Sequence, residues 1–453
     1  VTAPPAGEEV NAVADDAPAQ PEARPAAAAR SWASAAGWAV ADQGLFAGSS
    51  FVINLLLARW LMPESYGAFA VGLAAMTLAG VVHVAILTEP LTVFGPGKHR
   101  ERFNAYLATV LLGHVAVSAV LAAVLALVGL VERSLGSPLV GQALIAFAAA
   151  TPIILLLWFL RRTTYVQTQP HHAAWAGLLY LLIVVGLAWV LRTAGTLTLV
   201  WAVAVQACAA TISAAVLLFW LRPDFRKAHA PLRREVWHDH WRFGRWGIAT
   251  GLTYYATNQA FFLILPTFHG LEAAGALRAV TNLTVPMALI GTAISSLLTP
   301  MLVRSRGTPA FRSIVRRAAV GLCCGGAAFA VLLIVFRRPL LDLAYGGRYM
   351  GQAGVLVVLA TGIVPAMAVD LLSATLRAAE RPRAAFMAFV YSAGVGLTAG
   401  STLTLLYGLR GAAGAIVLCA GTSLIMLARE VYRLGNAVPH QAGSSAREPS
   451  TRR

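Results

Sequence analysis

The stretch FVINLLLARWLMPESYGAFAVG, residues 51–72, poses the question that decides the fold. An apolar run carrying Asn54 meets Arg59, turns through Met62-Pro63-Glu64, and is apolar again at once. Such a corner joins either two buried helices of a soluble protein or two helices that meet at a membrane surface. Composition separates the two. The 453-residue chain is 58% hydrophobic and only 12% charged, whereas an ordinary soluble domain carries about 25% charged residues. So few charges leave much of the surface to be solvated by lipid.

Crossing about 30 Å of hydrocarbon takes about 20 helical residues at about 1.5 Å each. Apolar runs of that length fall near 38–58, 66–90, 104–131, 139–160, 173–191, 198–221, 245–268, 276–300, 314–336, 352–376, 384–406 and 411–428. Twelve spans are expected. They are helices, being too long for membrane strands and lacking steady alternation. The formal charge of +16 raises nucleic acid as a partner, but the basic residues lie in the short loops. With the N-terminus placed in the cytoplasm, 27 of the 35 Lys and Arg fall on that side and 8 on the other. That is the positive-inside bias, and membrane sidedness then accounts for the charge without nucleic acid.

The expected organisation is a cytoplasmic disordered tail (1–34), a six-helix lobe (35–221), a cytoplasmic interlobe linker (222–244), a second six-helix lobe (245–430) and a cytoplasmic tail (431–453). Residues 221–245 mix Arg, Lys, Trp and His, which suits a segment lying against anionic lipid headgroups. ARWLMPESYGAFAVG (58–72) compares with PTFHGLEAAGALRAV (266–280): at an offset of 208 residues Glu64, Gly67 and Ala68 meet Glu272, Gly275 and Ala276. Six spans per half give both copies one orientation, so the halves are related by a pseudo-two-fold along the membrane normal, the plan of a rocking transporter.

Ionisable groups at membrane depth are costly and normally face a wet cavity or a partner. The candidates are Asp42 in span 1, Glu89 at the end of span 2, Tyr255, Asn258 and Gln259 in span 7, Arg278 and Asn282 in span 8, Asp370 in span 10 with Arg377 seven residues on, and Arg59 at the first external turn. Each also has a structural reading, as a helix end, an interhelical hydrogen bond or a snorkelling side chain. His83 and His114 read more readily as packed helix residues. No G-x-S-x-G, H-E-x-x-H or Walker A sequence is present, so no catalytic constellation emerges. The four cysteines (Cys208, Cys323, Cys324, Cys419) lack metal-ligand spacing, and neither a cofactor nor a metal is expected.

Several phrases carry a family resemblance: LLARWLMPESYG (56–67), ILTEPLTVFG (86–95), RRTTYVQTQPHHA (161–173), LLDLAYGGRYMGQAGVLVVLA (340–360) and LRAAERPRAA (376–385). They resemble the loops of bacterial oligosaccharide flippases and polysaccharide transporters of the multidrug/oligosaccharidyl-lipid/polysaccharide superfamily, over roughly residues 35–430. The resemblance implies an inner-membrane protein with cytoplasmic termini that moves an undecaprenyl-pyrophosphate-linked glycan to the outer leaflet for O-antigen, capsule or exopolysaccharide assembly. It implies no enzymatic activity, and its partners extend to a polysaccharide polymerase and a chain-length regulator. Relatives meet the pyrophosphate with cavity arginines, a role that would fall to Arg278 or, second, Arg59. The alternatives are a drug/cation antiporter of the same superfamily and a non-transport polysaccharide-assembly protein.

Overall fold

Prolines and alanines set where many of these helices begin. The computed structural model describes residues 25–436 apart from residue 307. In chain order the first helices are α1 (Pro25–Trp60), α2 (Pro63–His83), α3 (Glu89–Phe94), α4 (Phe103–Ser134), α5 (Pro138–Val166), α6 (Pro170–Thr193) and α7 (Leu199–Leu221). Next come α8 (Ala230–Asn258), α9 (Phe261–Asn282), α10 (Val285–Arg304) and α11 (Pro309–Val335). The chain closes with α12 (Arg337–Tyr345), α13 (Ala353–Thr361), α14 (Ile363–Ala378), α15 (Pro382–Val395) and α16 (Ser401–Asn436). No strand occurs among the described residues. Proline opens a helix readily because its fixed φ suits the first turn, where no amide donor is needed.

Helix α1 begins inside the expected N-terminal tail, because PAAAAR (25–30) joins a proline start to the best helix former. Likewise α16 runs on to Asn436. Residues 1–24 and 437–453 of the two expected tails lie outside the described residues. The expected linker 222–244 is not a separate segment. From Ala230 it is one helix with the first part of span 7, since nothing between Pro231 and Asn258 breaks α8.

Ten stretches among the described residues are long and apolar enough to cross a membrane. Two of them, Ala230–Asn282 and Pro382–Arg433, have 53 and 52 residues, more than twice the roughly 20 that one crossing needs. Each contains a glycine with non-helical backbone: Gly270 (φ 77°, ψ 173°) and Gly408 (φ 56°, ψ −129°). At positive φ a residue with a Cβ is strained. These glycines stand where the sequence places the turns after spans 7 and 11.

Helix α4 packs on α5, α1 on α6, and α7 on both α5 and α6; α9 packs on α16, and α14 on α10, α11 and α16. The two sets meet chiefly where α2 lies on α9. The repeat seen in the sequence is that contact. A methyl group on Gly67 would overlap the Leu271 carbonyl, and one on Gly275 would sit 3.0 Å from the Gly67 nitrogen and the Pro63 oxygen. The two copies pack backbone to backbone. A second small-residue seam runs along α8, where methyl groups on Gly244, Gly247 and Gly251 would strike Ala85, Glu89 and Val81 respectively. Lipid tails are as apolar as leucine, so close backbone approach replaces hydrophobic drive in holding membrane helices together.

Between α1 and α5 lies a buried ion pair. Arg161 donates from Nη2 to Asp42 Oδ1 at 2.7 Å and from Nε at 3.1 Å; Tyr165 donates its hydroxyl to Oδ2 at 2.6 Å. The guanidinium also stacks on Phe46, 3.7 Å from the ring centre.

Two outcomes follow for purified protein in detergent. Gly67→Ala forces α2 and α9 apart and costs about 1–3 kcal/mol, whereas Gly44→Ala, which meets nothing within 4 Å, is neutral or slightly stabilising. Equal melting temperatures for the two variants would refute the backbone contact. Arg161→Met leaves Asp42 buried and unpaired and costs about 3–5 kcal/mol; Asp42→Asn on top of it recovers part of that loss. The measurement is thermal unfolding of the two single variants and the double.

Candidate functional site

Two cavities adjoin one another and share Tyr254 and Asp370 in their walls. The first, about 330 Å³, is lined by residues of α8, α9, α10, α13, α14 and α16. Arg278, Asn282, Asn258, Gln259 and Asp370 line it, together with Thr281. The second, about 360 Å³, brings Glu89 of α3 to Asp370 and Arg377 of α14, with Ser295, Ser373 and Phe389. The sequence candidates therefore converge on one region. Of the ten named, seven line one or both cavities and three line neither.

Those three are Asp42, Arg59 and Tyr255. Asp42 is consumed by the Arg161 pair. Tyr255 is buried and donates its hydroxyl to the Ala74 carbonyl at 3.0 Å, a bridge between α8 and α2. Arg59 lies at the first turn and donates to the Leu343 carbonyl of α12 at 3.4 Å. The same turn receives Arg348, which donates to the Leu61 carbonyl, and Tyr345 donates to the Ala279 carbonyl at 2.7 Å. Helix α12 is thus tied both to the α1–α2 turn and to α9.

Arg278 is held between the halves. Its Nε donates to Asn54 Oδ1 at 3.3 Å, and its guanidinium lies 5.3 Å from the centre of the Phe262 ring. One turn on, Asn282 donates to the Phe51 carbonyl at 3.1 Å. No carboxylate pairs with Arg278 among the described residues, and neither Glu89 nor Asp370 has an ion-pair partner there. The contrast with Asp42 and Arg161 is chemical: one pair spends its charge internally, while the cavity charges remain available to something that enters.

The hydroxyls and amides in the walls say the same. Gln259 Oε1 and Thr281 Oγ1 in the first cavity, and Ser295 and Ser373 Oγ in the second, are buried with no hydrogen-bond partner. Leaving such an atom unpaired costs about 1–3 kcal/mol, so four in one region mark a surface made for polar contents. The sequence reading missed Thr281, Ser295 and Ser373. Two of the three stand three residues beyond a named candidate, Arg278 and Asp370, and so share its helical face. That spacing was the available signal.

Comparison with known proteins places this geometry in a family. The profile described as "Polysaccharide biosynthesis protein" matches residues 56–353, well over half of the chain. No curated protein matches by sequence. Among solved structures, the lipid II flippase MurJ in an inward closed conformation aligns with TM-score 0.69 and 12% identity, covering 88% of this chain and 87% of that one. An inward-facing multidrug resistance MATE family transporter of the MOP superfamily aligns with TM-score 0.68 and 15% identity, over 88% and 96% of the two chains. A MOP superfamily transporter from Pyrococcus furiosus, described as having a binding pocket of reverse polarity, gives 0.64 and 14%, over 90% and 96%. Identities this low establish the fold, which is that of the multidrug/oligosaccharidyl-lipid/polysaccharide transporters, and the profile establishes the membership: the chain belongs to the polysaccharide biosynthesis protein family.

Proposed function

We propose that the protein is a flippase that carries a polyprenyl-pyrophosphate-linked oligosaccharide from the inner to the outer leaflet of the bacterial cytoplasmic membrane. The observation that carries this reading is the cavity wall, where Arg278, without an ion-pair partner among the described residues, stands among amides and the unsatisfied Thr281 hydroxyl. A glycan crossing hydrocarbon bare would lose its hydrogen bonds to water, and its pyrophosphate would be desolvated besides. In the cavity Asn258, Gln259, Asn282 and Tyr254 take over the sugar hydrogen bonds, and Arg278 meets the anionic head. The polyprenyl tail stays in lipid.

In this reading the chain crosses the membrane twelve times, the turns at Gly270 and Gly408 dividing the two double-length stretches. Its two six-helix lobes rock about the Gly67–Gly275 contact, with both termini in the cytoplasm. The hydrogen bonds from Arg59 and Arg348 to backbone carbonyls form the external gate. Two backbone acceptors and no carboxylate make a lock that an emerging anion can compete for. Glu89 and Asp370, one from each lobe, are placed to take up a proton or cation during the return. On the cytoplasmic side the exposed Trp241 and Trp246 of α8, with Arg242 and Arg245, rest on anionic lipid headgroups. A polymerase and a chain-length regulator are the natural receivers of the product.

A second reading, a drug/cation antiporter, is favoured by one observation: the paired availability of Glu89 and Asp370 near a single cavity. Depletion separates the two. A flippase leaves its lipid-linked glycan on the inner leaflet, where an impermeant glycosidase added to inside-out vesicles reaches it; an antiporter leaves glycan display intact and raises cellular drug accumulation.

Removing the guanidinium in Arg278→Ala forfeits a charge-assisted hydrogen bond of about 1.5–3 kcal/mol, so glycan export falls about 10- to 100-fold at unchanged protein abundance. Arg278→Lys keeps the charge without the fork and loses less. Asp370→Asn slows export while leaving glycan binding intact. Normal export by both Arg278→Ala and Asp370→Asn, measured as surface glycan per protein, would remove the cavity from the transport path.

A further inference from the structure

A cluster outside the two cavities uses chemistry that transport of a glycan does not require. His99, in the loop between α3 and α4, is fully buried and stacked on Tyr106 with ring centres 4.2 Å apart, yet neither ring nitrogen has a hydrogen-bond partner. A ring nitrogen of His99 and one carboxylate oxygen each from Glu235 and Asp239 of α8 lie within 4.8 Å of one another. Between the carboxylates stands Lys98, its Nζ 2.9 Å from Glu235 Oε1 and 2.5 Å from Asp239 Oδ2. Arg102 completes the group, with Nη2 3.0 Å from both Glu235 oxygens.

A buried imidazole with both nitrogens unbonded is costly, and the ammonium that satisfies the acids, having no acceptor, offers it nothing to bond to through a donated hydrogen. One imidazole and two carboxylates are ligands for a divalent ion of the zinc class, where nitrogen and oxygen donors combine, rather than for magnesium or calcium, which take oxygen alone. We propose that His99, Glu235 and Asp239 form a binding site for such a transition-metal ion, which takes the place of the Lys98 ammonium between the two carboxylates. Metal–ligand bonds of about 2.0–2.1 Å put neighbouring tetrahedral ligand atoms about 3.3 Å apart, so the three side chains close in by up to about 1.5 Å. For the metal to enter, Lys98, whose side chain is 44% exposed, exchanges its two ion pairs for water, and Arg102 gives up one Glu235 oxygen. No motif marks this site, because His99 is far along the chain from Glu235 and Asp239 and no cysteine is among the ligands. An occupied site fastens the first cytoplasmic loop to α8, adding a coordinate bond to a junction otherwise held by ion pairs and by the Tyr106–His240 hydrogen bond at 2.8 Å. The inference stands whatever the cargo is.

The test is titration of the full-length, tag-free protein in detergent with Co²⁺, read by its visible absorption, followed by displacement with Zn²⁺. One equivalent is expected to bind saturably. His99→Ala and Glu235→Gln weaken it by about tenfold or more, and Lys98→Met tightens it, because the competing ammonium is gone. Metal-free thermal unfolding checks that each variant is folded, and the gain expected of Lys98→Met does not depend on the survival of His99→Ala. If wild type binds no more Co²⁺ than His99→Ala, or if Lys98→Met fails to tighten binding, the cluster is an ion-pair junction only and the proposal is overturned.

Discussion

The backbone of α2 touches the backbone of α9 at Gly67, and the rest of the arrangement depends on that approach. In lipid no hydrophobic force drives one helix onto another, so helices associate where small side chains let their backbones come close. A glycine on each helix meets this need, and both glycines come from the same place in an internal repeat. The contact fixes the rotation of α9. Arg278 and Asn282, one and two turns beyond Gly275, are thereby pressed against Asn54 and Phe51 of α1. The charge at the centre of the molecule is positioned by residues that have no side chain.

Charges in the membrane fall into two classes, and pairing distinguishes them. Asp42 and Arg161 neutralise each other through two hydrogen bonds, a tyrosine hydroxyl fills the remaining carboxylate oxygen, and Phe46 covers the guanidinium. Nothing is left over for a ligand. Arg278 and Glu89 have no such counter-charge among the described residues, Asp370 faces Arg377 in the second cavity without a direct ion pair, and hydroxyl and amide oxygens near them are also unsatisfied. A bilayer tolerates an unpaired charge only beside water or a polar occupant. Unmet bonding capacity is found at the two cavities, in Gln259, Thr281, Ser295 and Ser373, and also elsewhere in the fold, at Tyr66, His99 and Ser213 among others.

The family and the fold stand on different supports. The profile match over residues 56–353 assigns the family, while structures at 12–15% identity supply the fold and nothing finer. A lipid II flippase and a multidrug transporter both share that fold. Cargo is thus a property of the cavity wall rather than of the helix arrangement. In this chain the wall sets amides, hydroxyls and charged groups beside aromatic faces at Phe262, Tyr254 and Phe389 and apolar side chains such as Val285, Ile363, Met367 and Ile416.

What the sequence determined by itself was everything governed by local composition. Long apolar runs had to become helices, because lipid offers backbone amides no other partner, and glycines at 270 and 408 had to permit sharp turns. Proline and alanine even started α1 at residue 25, a start the sequence reading overlooked by weighing composition above helix propensity. Pairing was a different matter. Asp42 and Asp370 look alike as isolated carboxylates in apolar helices, yet the partner of Asp42 lies 119 residues away and Asp370 has no direct ion-pair partner among the described residues. His99 meets Glu235 and Asp239 only after α8 folds back across the loop between α3 and α4. Periodicity and hydropathy act within one helix, whereas the satisfaction of a buried polar atom depends on what the neighbouring helix brings to it, and only the tertiary structure decided that.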